Sequence, residues 1–168
     1  MLTAGLMAFA LLTSIPPAPP PAAATSPTEA ARYALTHGCL AAARRGVKLA
    51  ALSNPSIVLS EKVRGLYAMK GAGQILMSDS PPQVGCYMRV GQGNGEDLRR
   101  MALGLLAMEA PTRVVQDSGP ASKPMRQELH CVKVAGRSMA ALISSSNGPG
   151  GAPLQFSLLD GQDVCRAP

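Results

Sequence analysis

The chain has 168 residues, a formal charge of +6, three Tyr, two Phe and no Trp. That length allows one ordinary hydrophobic core, while so few aromatic rings cannot make a platform on which bases stack, which argues against nucleic-acid binding. The cations are scattered except for Arg44-Arg45-Gly46-Val47-Lys48, so the charge suits an anionic ligand or a protein partner more than a phosphate backbone.

The chain opens with an uncharged, apolar run from Leu2 to Ile15, followed by prolines and Ala22-Ala23-Ala24. At about 1.5 Å per residue the run is too short for a hydrocarbon core of roughly 30 Å. Proline then ends any helix, and small residues of this kind are what signal peptidase accepts. The pattern predicts a signal peptide over 1–24, cleaved after Ala24, and a single small α+β domain over 25–168. No Lys or Arg precedes the run, which leaves the α-amino group or an upstream start to supply the positive end. The expected location is periplasmic or extracellular, with no membrane span after cleavage.

Ser26-Pro27-Thr28-Glu29 predicts a helix start, with Ser26 or Thr28 as cap. Ala31, Leu35, Cys39 and Ala42 recur at helical spacing, and Gly46 stops the run. After Asn54-Pro55, two apolar runs flank Gly71-Ala72-Gly73 and predict a hairpin. Pro81-Pro82 interrupts the chain. The next strand, around 84–90, puts Cys86, Met88 and Val90 on one face and Tyr87 and Arg89 on the other. A second helix follows the glycine-rich turn 91–95, with Leu98, Met101, Ala102 and Leu105 as its apolar stripe. A short strand over 112–116, a hairpin turning at Gly136-Arg137 as type II′, a glycine-rich loop and a last strand complete the chain. The order is α-β-β-β-α-(β)-β-β-β, an α+β fold with a mostly antiparallel sheet and two helices. No internal repeat is visible in the sequence.

The segment Gly91-Gln92-Gly93-Asn94-Gly95-Glu96 has the layout of a phosphate-binding loop but carries Glu where the dinucleotide fingerprint wants its third Gly. Glu96 and Asp97 occupy the positive end of the helix dipole and repel a phosphate, so the segment is read as a turn and no cofactor is expected. His37 and His130 each lie beside a cysteine. On a strand, though, His130 and Cys131 point to opposite faces, and the cysteines are wanted for disulfides, so no metal is expected.

Val114-Val115-Gln116-Asp117-Ser118-Gly119 resembles the hydrophobic-Asp-Ser/Thr-Gly motif of retropepsin-like aspartic proteases, and Leu158-Leu159-Asp160-Gly161 is similar to that family's hydrophobic-Gly element. The resemblance covers those residues alone. It implies a dyad in which Asp117 and its copy in a second subunit share one proton, with Asp117 as the base. Pro120 and Asp160 depart from the pattern, and Asp-Ser-Gly is a common turn tripeptide.

The four cysteines, Cys39, Cys86, Cys131 and Cys165, predict two disulfides in an exported chain. Cys39 lies on the stripe of the first helix and Cys86 on the apolar face of its strand, so a helix packed on that face pairs them. Cys131 alternates with Val132 and Val134, points the other way, and is left for Cys165. The sequence thus predicts an exported, disulfide-stapled domain with a binding or structural role and no catalysis. Its partner would be a protein or an anionic extracytoplasmic ligand; the rival reading is a small secreted hydrolase acting through Asp117 or through a histidine, His37 or His130.

Overall fold

The computed structural model describes residues 26–61, 63–79, 85–109, 113–117, 125–161 and 164–165. The predicted signal segment 1–24 lies outside them, as do Pro81-Pro82 and Ser118-Gly119-Pro120 of the protease-like motif.

The first helix runs from 27 to 45, as an α-helix Pro27–Ala34, a π-helical stretch Leu35–Leu40 and an α-helix Ala41–Arg45. Ser26 caps it: its hydroxyl oxygen accepts from the Glu29 backbone N–H at 3.2 Å and the hydroxyl donates to the Glu29 carboxylate at 3.1 Å. Gly46, at φ 68°, ends it in the left-handed conformation that closes many helices. The buried face is rich in small residues, Ala30, Ala31, Ala34, Ala42 and Ala43 among them, so the helix lies close on the sheet. Gly38 sets the closest approach. A Cβ there would sit 3.0 Å from Met77 Sδ and 3.1 Å from Ile57 Cδ1. A short 3-10 turn, Leu49–Leu52, follows.

Eight strands form one antiparallel sheet: β1 Ile57–Leu59, β2 Tyr67–Met69, β3 Ala72–Asp79, β4 Cys86–Val90, β5 Arg113–Asp117, β6 Met125–Val134, β7 Arg137–Ser146 and β8 Leu154–Asp160. Their order across the sheet is β1-β2-β3-β4-β8-β7-β6-β5. The second helix, Gly95–Ala107, stands between β4 and β5 in the chain. The α+β class is as the sequence predicts, but there are four strands before the second helix where the sequence predicts three. The extra one, β1, has three residues, and only Ile57 is buried, too short to leave an alternating pattern.

The strand order is that of two like units, each a helix and a four-stranded meander, meeting along β4 and β8. The first helix packs on β3 and β4, the second on β7 and β8, and the helices touch each other. Both cover the same face. The core lies beneath them, in rows such as Met77, Met88, Phe156 and Ile143, which are register partners on four adjacent strands and at most 1 % exposed.

Two turns differ from the sequence reading. The β2–β3 turn is Lys70-Gly71, with Ala72 and Gly73 already in β3. The β6–β7 turn is Ala135-Gly136, since Val134 pairs with Arg137, and its φ values of 48° and 80° make it type I′ rather than type II′. The twist of the long β6–β7 ribbon favours that form, and it places Ala where Asn or Gly is usual.

Cys39 is bonded to Cys86 with Cα atoms 5.2 Å apart, and Cys131 to Cys165 at 5.4 Å. These are the pairs that the stripe and alternation arguments select. Two such bridges belong in an oxidising environment outside the cytosol.

Candidate functional site

β6 carries Arg126, Glu128 and His130 at alternate positions, so all three face the helices. Arg99, on the second helix, reaches down to them. Its Nε and Nη2 donate to Glu128 Oε1 at 3.1 and 2.6 Å, while Nη1 donates to Glu96 at 2.9 Å. Arg126 Nη2 lies 2.7 Å from the same Glu128 oxygen and 2.7 Å from Asp117 Oδ2. His130 Nε2 lies 3.2 Å from Glu128 Oε2. The Glu128 side chain is 4 % exposed and that of His130 6 %. Burial alone would raise the Glu128 pKa, but the hydrogen bonds from Arg99 and His130 and the charges of Arg99 and Arg126 outweigh it and hold the carboxyl below the usual glutamate value. The Arg126 guanidinium is raised above its ordinary value, chiefly by its hydrogen bond to Asp117.

Asp117 therefore ends β5 opposite Glu128, its register partner, with Arg126 bridging the two carboxylates. Within the chain the Asp117 carboxylate is thus paired with Arg126. His130 belongs to the same buried network, and with its proton on Nε2 it donates to Glu128 and leaves Nδ1 as a buried acceptor with no partner among the described residues. Sequence reasoning singles out Asp117 and His130 separately and misses Glu128, Arg99 and Arg126. A signal is present: Arg, Glu and His at i, i+2 and i+4 on a strand must share a face.

The glycine-rich turn 91–95 is built as a cap. Asn94 Oδ1 accepts from the Glu96 and Asp97 amides at 2.9 and 3.1 Å, and Asn147 Oδ1 accepts from the Gly95 amide at 2.7 Å. The donors that would cradle a phosphate already hold side-chain carbonyls. A Cβ on Gly95 would lie 2.5 Å from the Ser146 carbonyl oxygen, which fixes glycine there by packing.

His37 stands elsewhere, on the outer side of the first helix. Tyr33, His37, Ala41 and Arg45, four residues apart, line a pocket of about 190 Å³ closed on its other side by the loop 52–55. The rings of Tyr33 and His37 lie with centroids 4.5 Å apart. Asn54 Oδ1 accepts from the Ser56 amide at 2.9 Å and, weakly, from the Tyr33 hydroxyl at 3.5 Å. No group of three His, Cys, Asp or Glu residues able to hold a metal occurs among the described residues.

The sheet face away from the helices has its own rows. Ser78, Tyr87, Ser157, Leu142 and Leu129 are successive register partners across β3, β4, β8, β7 and β6. All are half-buried or exposed, and Leu142 is 38 % exposed. The next row runs Leu76, Arg89, Gln155, Ser144 and Gln127, of which Arg89, Gln155 and Gln127 are exposed. Tyr87, Leu142 and Leu129 thus leave apolar surface on this face, interrupted by Ser78 and Ser157, with Arg89, Gln155 and Gln127 beside it. Among the described residues no helix lies over this face, and the segment 164–165 reaches it through the bond to Cys131.

Comparison of the chain with protein-family models, with curated proteins and with solved structures returns no match.

Proposed function

We propose that this chain is an exported, disulfide-stapled binding domain that works without catalysis, and that the helix-free face of the sheet engages a protein partner. The observation that carries the reading is the row Tyr87–Ser157–Leu142–Leu129 across β4, β8, β7 and β6, in which a tyrosine ring and two leucines are left partly exposed on a sheet face that no described helix covers. Burying such a row stabilises a complex at about 25 cal/mol per Å² of apolar surface removed from water, and polar side chains at its margin are the usual arrangement of an interface. The disulfides support a location outside the cytosol, and the apolar leader with its Ala22-Ala23-Ala24 site supports export. The aspartic form of the hydrolase reading has less support, because Arg126 pairs with the Asp117 carboxylate it depends on.

The test is site-specific photocrosslinking in the protein's own extracytoplasmic fraction. A p-benzoylphenylalanine introduced in place of Leu142 on the open face is expected to give a discrete adduct. The same group in place of Gly104, where a side chain meets open space on the second helix, is expected to give none. Absence of an adduct from position 142, or the same adducts from both positions, overturns the reading.

A further inference from the structure

We propose that the pocket between the first helix and the loop 52–55 binds a small anion, a carboxylate or phosphate head on a compact apolar body. The site is distinct from the open sheet face, and its failure would leave that surface's role standing.

The charge around the pocket is the first argument. No Asp or Glu lines it, while Arg45 and His37 do. The adjacent Arg44 is held by Glu109, whereas Arg45 makes no ion pair with any described residue. A guanidinium beside a concavity is a ready partner for a planar carboxylate or a phosphate, since its fork of N–H donors matches both. The wall supplies the apolar half: the Tyr33 ring against His37, with Ala41 and Leu52 beside them. A volume of about 190 Å³ exceeds the ~150 Å³ that holds benzene in a closed cavity, so there is room for a one-ring molecule.

The backbone is the second argument. Both sides of the pocket are held in uncommon conformations. The helix passes it as the π-helical stretch Leu35–Leu40, which contains His37, and short π-turns inside α-helices occur disproportionately at functional sites. The loop passes it with Ser53 at φ 50°, a left-handed conformation that costs a non-glycine residue free energy and is retained where the surroundings require it. The π stretch keeps Leu35, Cys39 and Leu40 in the core while His37 stays partly exposed beside Tyr33. The Tyr33 hydroxyl makes one weak bond to Asn54 and can exchange it to donate to a ligand at the rim.

The test is an amide chemical-shift titration of the folded protein with sodium benzoate and with phenyl phosphate, against sodium chloride at equal ionic strength. Saturable shifts at Ser53, Asn54 and Arg45 are expected with at least one probe; benzoate alone marks a carboxylate site and phenyl phosphate alone a phosphate site. Arg45 is exposed, so Arg45→Gln should fold normally and bind about tenfold more weakly or worse, the factor that loss of one charge-assisted hydrogen bond implies. Lys48→Gln, which removes an equal charge close in sequence but outside the lining, should bind as the parent does. Shifts that chloride reproduces, no saturation with either probe, or equal losses in the two variants overturn the proposal.

Discussion

Glu128 shows how much one buried side chain can depend on its neighbours. It meets two guanidinium groups and an imidazole while almost wholly out of water, so its stabilising role lies in keeping Arg99 and Arg126 from being stranded. The near-isosteric change Glu128→Gln removes the charge and should cost roughly 2–3 kcal/mol, below the full value for a broken buried pair because Arg99 and Arg126 keep some access to water. The pH dependence has a definite sign. A carboxyl whose pKa is lowered on folding contributes stability that is fully present above its unfolded value, about 4.3, and is lost as pH falls through the lower folded value. Urea unfolding should therefore show a constant gap between parent and variant near neutrality that closes below about pH 4; a gap under about 1 kcal/mol, or one that ignores acid, would contradict this account. Ala135 is the opposite case, a residue at odds with its own backbone. At φ 48° in the first position of a type I′ turn, it bears a penalty that Asn tolerates better. Ala135→Asn should raise stability by about 0.5–1 kcal/mol, read as a higher urea midpoint with unchanged slope.

At the scale of elements, the first helix is attached by alanines and one covalent bond. Alanine faces bury little apolar area per residue, so the bridge from Cys39 to Cys86 carries an unusual share of the docking. The cysteines are 47 residues apart, for which the chain-entropy model gives about 4 kcal/mol, and the other pair, 34 apart, differs from it by only ~0.3 kcal/mol in that model. Cys39 and Cys86 are also wholly buried, at 0 and 1 % exposure, whereas Cys131 and Cys165 are half-buried. Denaturant unfolding should then show the double variant Cys39→Ala/Cys86→Ala losing at least about 1 kcal/mol more than Cys131→Ala/Cys165→Ala, because packing is lost together with the constraint. Equal losses would mean that loop closure alone is at work. Elements are legible in the sequence where periodicity is long. Ala31, Leu35 and Cys39 mark the helix face that is in fact buried, and Cys86, Met88 and Val90 mark the strand face beneath it. β1, with three residues, and β5, with a bulge between Val114 and Gln116, are too short or irregular to leave such a mark. The β6–β7 turn is displaced by one residue from its expected place because a Gly-Arg pair and an Ala-Gly pair offer the same glycine to two different turns. The Glu128 network is hidden for another reason: Arg99 and Asp117 come to β6 only through tertiary packing.

For the whole molecule, the question is whether its two helix-and-meander units are two folding units or one. Nothing in the sequence repeats, yet the topology does, since a shared backbone plan needs only like patterns of buried positions and not like residues. The seam between the units is the pairing of β4 with β8, where Cys86, Met88 and Val90 face Leu158, Phe156 and Leu154 in register, each at most 1 % exposed. A seam as buried as the core around it couples the units into one cooperative transition. The tyrosines allow a direct check, because Tyr33, Tyr67 and Tyr87 all precede β5 and there is no Trp. Tyrosine fluorescence therefore reports the first unit, and far-ultraviolet circular dichroism reports both. Phe156→Ala, in the second unit, should cost about 3–5 kcal/mol as a large-to-small change in a packed interior. The tyrosine and dichroism midpoints should fall together by that amount, since the first unit has no way to keep β4 covered once β8 is lost. A tyrosine transition that stays at the parent's midpoint while the dichroism shifts would show instead that the units unfold apart, with β4 and β8 as a joint between two domains.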